Sequence, residues 1–94
     1  MPFVYIMSTA RNGTIYVGVT KDLISRVHQH KTDAVEGFTQ RYCIHNLVWY
    51  EHADSIISAI QREKQLKNWK RDWKIRLIEA SNPQWQDLYP GLLS

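Results

Sequence analysis

Phe3-Val4-Tyr5-Ile6-Met7, then Arg11-Asn12-Gly13, then Thr14-Ile15-Tyr16-Val17-Gly18-Val19: this opening stretch decides the fold. The first run is continuously apolar and aromatic, as a buried strand is. Asn-Gly is a strong hairpin signal, because both residues tolerate the positive φ of a tight turn. The run after it is β-branched and aromatic, so the two runs are expected to pair as an antiparallel hairpin. Gly18, near the end of the second strand, marks a bend or a close approach.

Working outward, Thr20 or Asp22 can cap a helix whose apolar face is Leu23, Ile24 and Val27, ending near His30 or Lys31. Residues 32–41 contain Gly37 and polar side chains and read as a loop. Residues 46–53, with Leu47, Val48, Trp49 and Tyr50, read as a third strand. Asp54 or Ser55 can cap a second helix reaching Lys67 or Asn68, with Ile56, Ile57, Ala59, Ile60 and Leu66 at helical spacing. A shorter helix is expected over 71–80, turning Trp73, Leu77 and Ile78 inward, and Asn82-Pro83 ends it. The tail, with Trp85, Leu88 and Tyr89, is expected to return to the body of the protein. The order β-β-α-β-α-α predicts an α/β (α+β) fold, a three-stranded sheet flanked by helices, with residues 1–94 as one domain.

The composition excludes several classes. A chain of 94 residues with 44% hydrophobic content is globular rather than disordered. A formal charge of +3 suits a polyanionic partner without specifying one. Cys43 is the only cysteine, which excludes an internal disulfide and a Cys-based zinc site. No apolar run is long enough to span a membrane, and the N-terminal residues lack the basic start of a signal peptide, so a cytoplasmic location is expected. Phosphate-cradling glycine motifs and His-Glu-x-x-His are absent, and His28, His45 and His52 show no metal-ligand spacing.

Four features could carry chemistry. Tyr5 and Tyr16 lie on paired strands, where their rings can meet, although strand tyrosines are commonly structural. Arg26 and His30 are four residues apart and share a helix face beside Val27; a solvated flank would look the same. Glu63 sits inside an apolar stripe, between Ala59 and Leu66, where a carboxylate must be paired, bound to a cation or placed at a cleft. Finally, Arg62, Lys64, Lys67, Lys70, Arg71, Lys74 and Arg76 interleave with Trp69 and Trp73. Such cations can neutralise phosphates, but the tryptophans are expected to face inward.

Together these features resemble the GIY-YIG nuclease family. Phe3-Val4-Tyr5-Ile6 looks like the first motif and Ile15-Tyr16-Val17-Gly18 like the second, at the family's separation. Arg26 and His30 match the helix arginine and the following histidine or tyrosine, and Glu63 in Gln61-Arg62-Glu63-Lys64 matches the metal-binding glutamate. Asn82 resembles a later asparagine. The likeness is greatest to small stand-alone bacterial members described as excinuclease C-like. Two positions depart: Val4 replaces the first motif's glycine, and Val19 stands where some members carry a lysine, for which Lys21 or Lys31 would substitute.

The resemblance implies an endonuclease that hydrolyses nucleic-acid phosphodiester bonds with Mg2+ or Mn2+, acting on DNA in repair or processing. Tyr5, Tyr16, Arg26, His30 and Glu63 would be catalytic, with Glu63 holding the metal and Tyr5 acting as general base. Gly18, Lys21, Lys31, Lys67 and Asn82 would contact substrate. A protein partner would supply specificity, since the chain has no room for a separate DNA-binding domain. The rival expectations are a binding module that retains the nuclease fold without catalysis, and a scaffold whose basic helix meets an acidic partner.

Overall fold

The computed structural model describes residues 1–34 and 37–94. Strands β1 (Phe3–Ser8), β2 (Ile15–Thr20) and β3 (Asn46–His52) form one antiparallel sheet in the order β2-β1-β3. Helix α1 (Leu23–Lys31) follows the hairpin, α2 (Phe38–Arg41) precedes β3, and α3 (Ile56–Asn68), α4 (Arg71–Ser81) and α5 (Tyr89–Leu92) complete the chain. Among the described residues, no helix is long and apolar enough to cross a membrane.

The unbroken apolar run of β1 follows from its place at the centre of the sheet, with both faces covered. Successive side chains alternate sides. Val4 and Ile6 join Val17, Val48 and Trp49 in a core shared with Ala59 and Leu66 of α3 and Ile78 of α4. Tyr5 and Met7 point the other way, into a second core with Leu23 and Val27 of α1, Ile44 and Leu47, closed by Tyr89 and Leu92 of α5. Asn12 holds the hairpin turn in the left-handed region at φ 58°. Arg71 Nη2 donates to the Asn12 and Gly13 carbonyls at 2.7 Å each, fastening the turn to the start of α4.

The helix starts follow the capping chemistry. Asp22, rather than Thr20, caps α1 by accepting from the Ser25 amide, and Ser55, rather than Asp54, caps α3 through a reciprocal box with Ser58. Three expectations are corrected. The loop expected over 32–41 contains α2, although Val35 and Glu36 within it lie outside the described residues. Ile56, Ile57 and Ile60 are exposed, because the inward stripe of α3 runs through Ala59 and Leu66 instead. Trp73 is also exposed, because α4 turns Ile78 inward.

Asn82 and Lys31, both expected at the substrate, make contacts that bind the fold together. On β3, Ile6 pairs with Trp49 and Met7 with Leu47, so Val48 is an extra residue in the ladder. Asn82 Nδ2 donates to the Val48 carbonyl at 3.1 Å and to the Gln86 carbonyl at 2.8 Å, while its Oδ1 accepts from the Gln86 amide. That buried amide is fully used by backbone groups. Lys31 Nζ donates to the His45 carbonyl, pairs with Asp87 and lies over the Tyr89 ring, fastening the C-terminal tail to α1.

Candidate active site

Tyr5 stands on the central strand with Gly18 directly opposite on β2. The register explains the glycine. A Cβ on Gly18 would lie 2.6 Å from both Cζ and Oη of Tyr5 and 2.9 Å from Cε2 of Tyr16, closer than real side chains approach. Gly18, expected at the substrate, is buried, and its missing side chain is the space the Tyr5 phenol occupies.

Tyr16 faces Met7 across the ladder, two positions from Tyr5 and on the same side of the sheet. The two rings lie 6.2 Å apart, and the Tyr16 phenol acts electrostatically on that of Tyr5. His30, in the last turn of α1, completes the cluster: its Nε2 is 2.9 Å from Tyr5 Oη, and its ring lies 5.4 Å from that of Tyr16. Tyr5 and His30 are each 1% exposed, whereas Tyr16 is half-buried, so solvent reaches this array from the Tyr16 end.

Arg26 lies one turn before His30, half-buried at the wall of a cleft of about 450 Å³. Lys21, Ser25, Gln29 and Ile56 also line that cleft. The sequence reading named Arg26 and Lys21 but missed Ser25 and Gln29, whose spacing on α1 places them beside Arg26. It also missed Ile56, which no periodicity separates from core isoleucines. Glu63 approaches from α3, with its side chain 21% exposed and 3.5 Å from Lys67 Nζ. The anomaly in the sequence is thus resolved: the carboxylate lies at the margin of the buried stripe, with a cation beside it.

Arg26 and Glu63 both act on the Tyr5 phenol. Burial raises the Tyr5 pKa above its ordinary value, and the Tyr16 phenol and the Glu63 carboxylate push in the same direction. Arg26 opposes them. Charges on two helices that cover opposite faces of the sheet therefore both act on one phenol. The net direction departs from what a phenolate base at neutral pH requires, because burial outweighs the single guanidinium.

His30 is lowered to about 4 by burial and then by Arg26, so its imidazole is neutral at pH 7. Its unfolded value near 6.5 lies above the folded one, so the unfolded chain binds the proton first as pH falls. Stability is expected to be full above pH 6.5 and to fall by about 3 kcal/mol as pH drops toward 4. Urea unfolding of the parent and of His30→Gln across that range measures it. Equal pH slopes in the two proteins would remove His30 as the cause.

Among the described residues, no group of three or more His, Cys, Asp or Glu side chains could hold a metal ion. Glu63 offers the oxygens of a single carboxylate. These suit a hard cation that keeps most of its water, and they do not suit a zinc cage.

Comparison with known proteins gives the family and supports the fold. Residues 1–76 match the family model described as the GIY-YIG catalytic domain. The UPF0213 protein of Staphylococcus aureus strain Mu3 is 35% identical over 78 residues, covering 82% of this chain and 93% of the relative. UPF0213 protein SA0446 of strain N315 matches to the same extent. The solution NMR structure of UPF0213 protein BH0048 from Bacillus halodurans superimposes with a TM-score of 0.56, covering 93% of each chain at 24% identity, which supports the fold.

Proposed function

The chain belongs to the GIY-YIG catalytic domain family, a nuclease family acting on nucleic acid, and from that premise we propose that it is a divalent-metal-dependent endonuclease acting on DNA in a cytoplasmic setting. One observation carries the reading: Arg26, at the wall of an open cleft, and Glu63, on a different helix, both act electrostatically on the buried Tyr5 phenol.

Phosphodiester hydrolysis must stabilise charge on the phosphate, deprotonate a water and release an alkoxide. Arg26 would grip the non-bridging oxygens with its fork of donors, while Lys21 and Lys67 neutralise neighbouring phosphates. Glu63 would hold Mg2+ or Mn2+, which supplies charge neutralisation when bound.

The raised pKa of Tyr5 argues against a free phenolate, and the low pKa of His30 argues against an imidazolium as the final proton acceptor. Tyr16, the phenol that solvent reaches, would orient the attacking water, and the Tyr5–His30 pair, 2.9 Å apart, would hold the cluster behind it. The proton of the water leaves to solvent through the open cleft. The leaving oxygen takes a proton from solvent in the open cleft.

The test is incubation of the purified protein with labelled single-stranded, double-stranded and branched DNA in magnesium, manganese or chelator. Cleavage in either metal and none in chelator is the expected result. Salt-sensitive binding without cleavage in any condition would replace this reading with a non-catalytic binding module. Specificity would then rest on a protein partner.

A further inference from the structure

We propose that α4 carries a second nucleic-acid contact, at which an unpaired nucleotide flanking the cleavage site stacks on Trp73 while Lys74 and Arg76 hold its phosphates. The substrate is that of the nuclease reading, on which this proposal rests; the contact itself lies outside the tyrosine cluster.

Trp73 is 54% exposed, an unusual cost for the largest apolar side chain. It is also held in place. Its ring meets Trp69 edge-to-face at 5.8 Å, and the Arg62 guanidinium lies 5.3 Å from the centre of the Trp69 ring. With Arg76 and Leu77 the two indoles line an open cleft of about 340 Å³. A pre-ordered aromatic surface at the mouth of an apolar cleft suits a flat heterocycle, and stacking on it tolerates any base.

The surrounding charge favours a polyanion. Among the described residues, no carboxylate lies within ion-pairing distance of Lys70, Lys74 or Arg76. Burial, then the charges of Arg71 and Lys67, depress the Lys74 pKa, so positive charge is crowded here beyond what the protein itself compensates. Anionic phosphates would relieve that repulsion.

Lys67 connects the two regions. It pairs with Glu63 on one side and acts on Lys74 on the other. Positive charge thus extends from the Glu63 side of α3 to the α4 surface that carries Trp73. The base must be unpaired, because duplex stacking hides the face that Trp73 would cover.

Binding is measured in chelator, without cleavage, by anisotropy of a labelled oligothymidine, the same oligomer with abasic sites, and a blunt duplex. Trp73→Ala is expected to weaken oligothymidine binding about tenfold, and Trp73→Phe to retain most of the affinity. The abasic oligomer should bind the parent as weakly as oligothymidine binds Trp73→Ala, and the duplex should be insensitive to the substitution. Lys74→Glu with Arg76→Glu should remove binding and flatten its salt dependence. Parent-like affinity of Trp73→Ala for oligothymidine overturns the proposal. So does competition by polyglutamate as effective as by oligonucleotide, which would assign the surface to acidic proteins. If Trp73-dependent binding appears but no metal supports cleavage, the nuclease reading fails and this contact stands.

Discussion

Glu63→Ala is expected to lower metal-dependent cleavage by about a thousandfold while the protein stays folded. Two structural facts separate those outcomes. The carboxylate is 21% exposed and its partner Lys67 is 52% exposed, so the lost ion pair is a surface interaction of small stabilising value. The substitution leaves an alanine, a good helix former, within α3. The melting temperature should therefore stay within a few degrees of the parent value. Glu63→Gln sharpens the test, because it preserves shape and removes only charge. Were Glu63 present merely to hold α3 on the sheet, glutamine would keep activity and alanine would lower the melting point. A pair of variants that lose cleavage together and melt like the parent assigns the carboxylate to the chemistry. A Glu63→Gln protein that cuts at the parental rate removes it.

The legibility of this site in the sequence was uneven for identifiable reasons. The hairpin is local: apolar runs and Asn12-Gly13 specify the register that puts Gly18 opposite Tyr5. Arg26 and His30 follow from helix periodicity once that register is known, because only Lys21 and Asp22 separate β2 from α1. Glu63 stood out because a carboxylate conflicted with its apolar neighbours. What the sequence hid depended on which of two adjacent stripes faces inward. On α3, Ile56 and Ile60 form one stripe and Ala59 and Leu66 the next, and Glu63 lies where they meet. Hydrophobicity favoured the isoleucines, while packing on the sheet selected the smaller alanine, which lets the helix approach. The helices α2 and α5 have four residues each, too few for a periodic signal. Lys31 and Asn82 had suitable chemistry for phosphate contact, but their tertiary partners, Asp87 and the carbonyl of the extra β3 residue, lie far away in the chain.

Gly18→Ala is expected to damage stability and catalysis together. Gly18 is not in the left-handed region, so an alanine meets no backbone penalty there; the entire effect is steric. The new methyl would need to share space with Tyr5 Cζ and Oη, each 2.6 Å from its position. The phenol has little freedom, being 1% exposed and hydrogen-bonded to His30. Either β2 moves away from β1, which costs ladder geometry, or the ring turns and the contact with His30 is broken. Overpacking of this kind costs about 1–3 kcal/mol. The rate should fall about a hundredfold or more, because a displaced phenol disturbs the Tyr5–Tyr16–His30 cluster that would orient the attacking water. The companion Tyr5→Leu substitution identifies the clash. Combined with Gly18→Ala it should recover part of the lost melting temperature, since a smaller side chain leaves room for the methyl, yet it should restore no cleavage. Strictly additive stability losses would mean that Gly18 and the Tyr5 ring do not compete for the same space, and a Gly18→Ala enzyme with parental turnover would mean that the phenol's position does not govern the reaction.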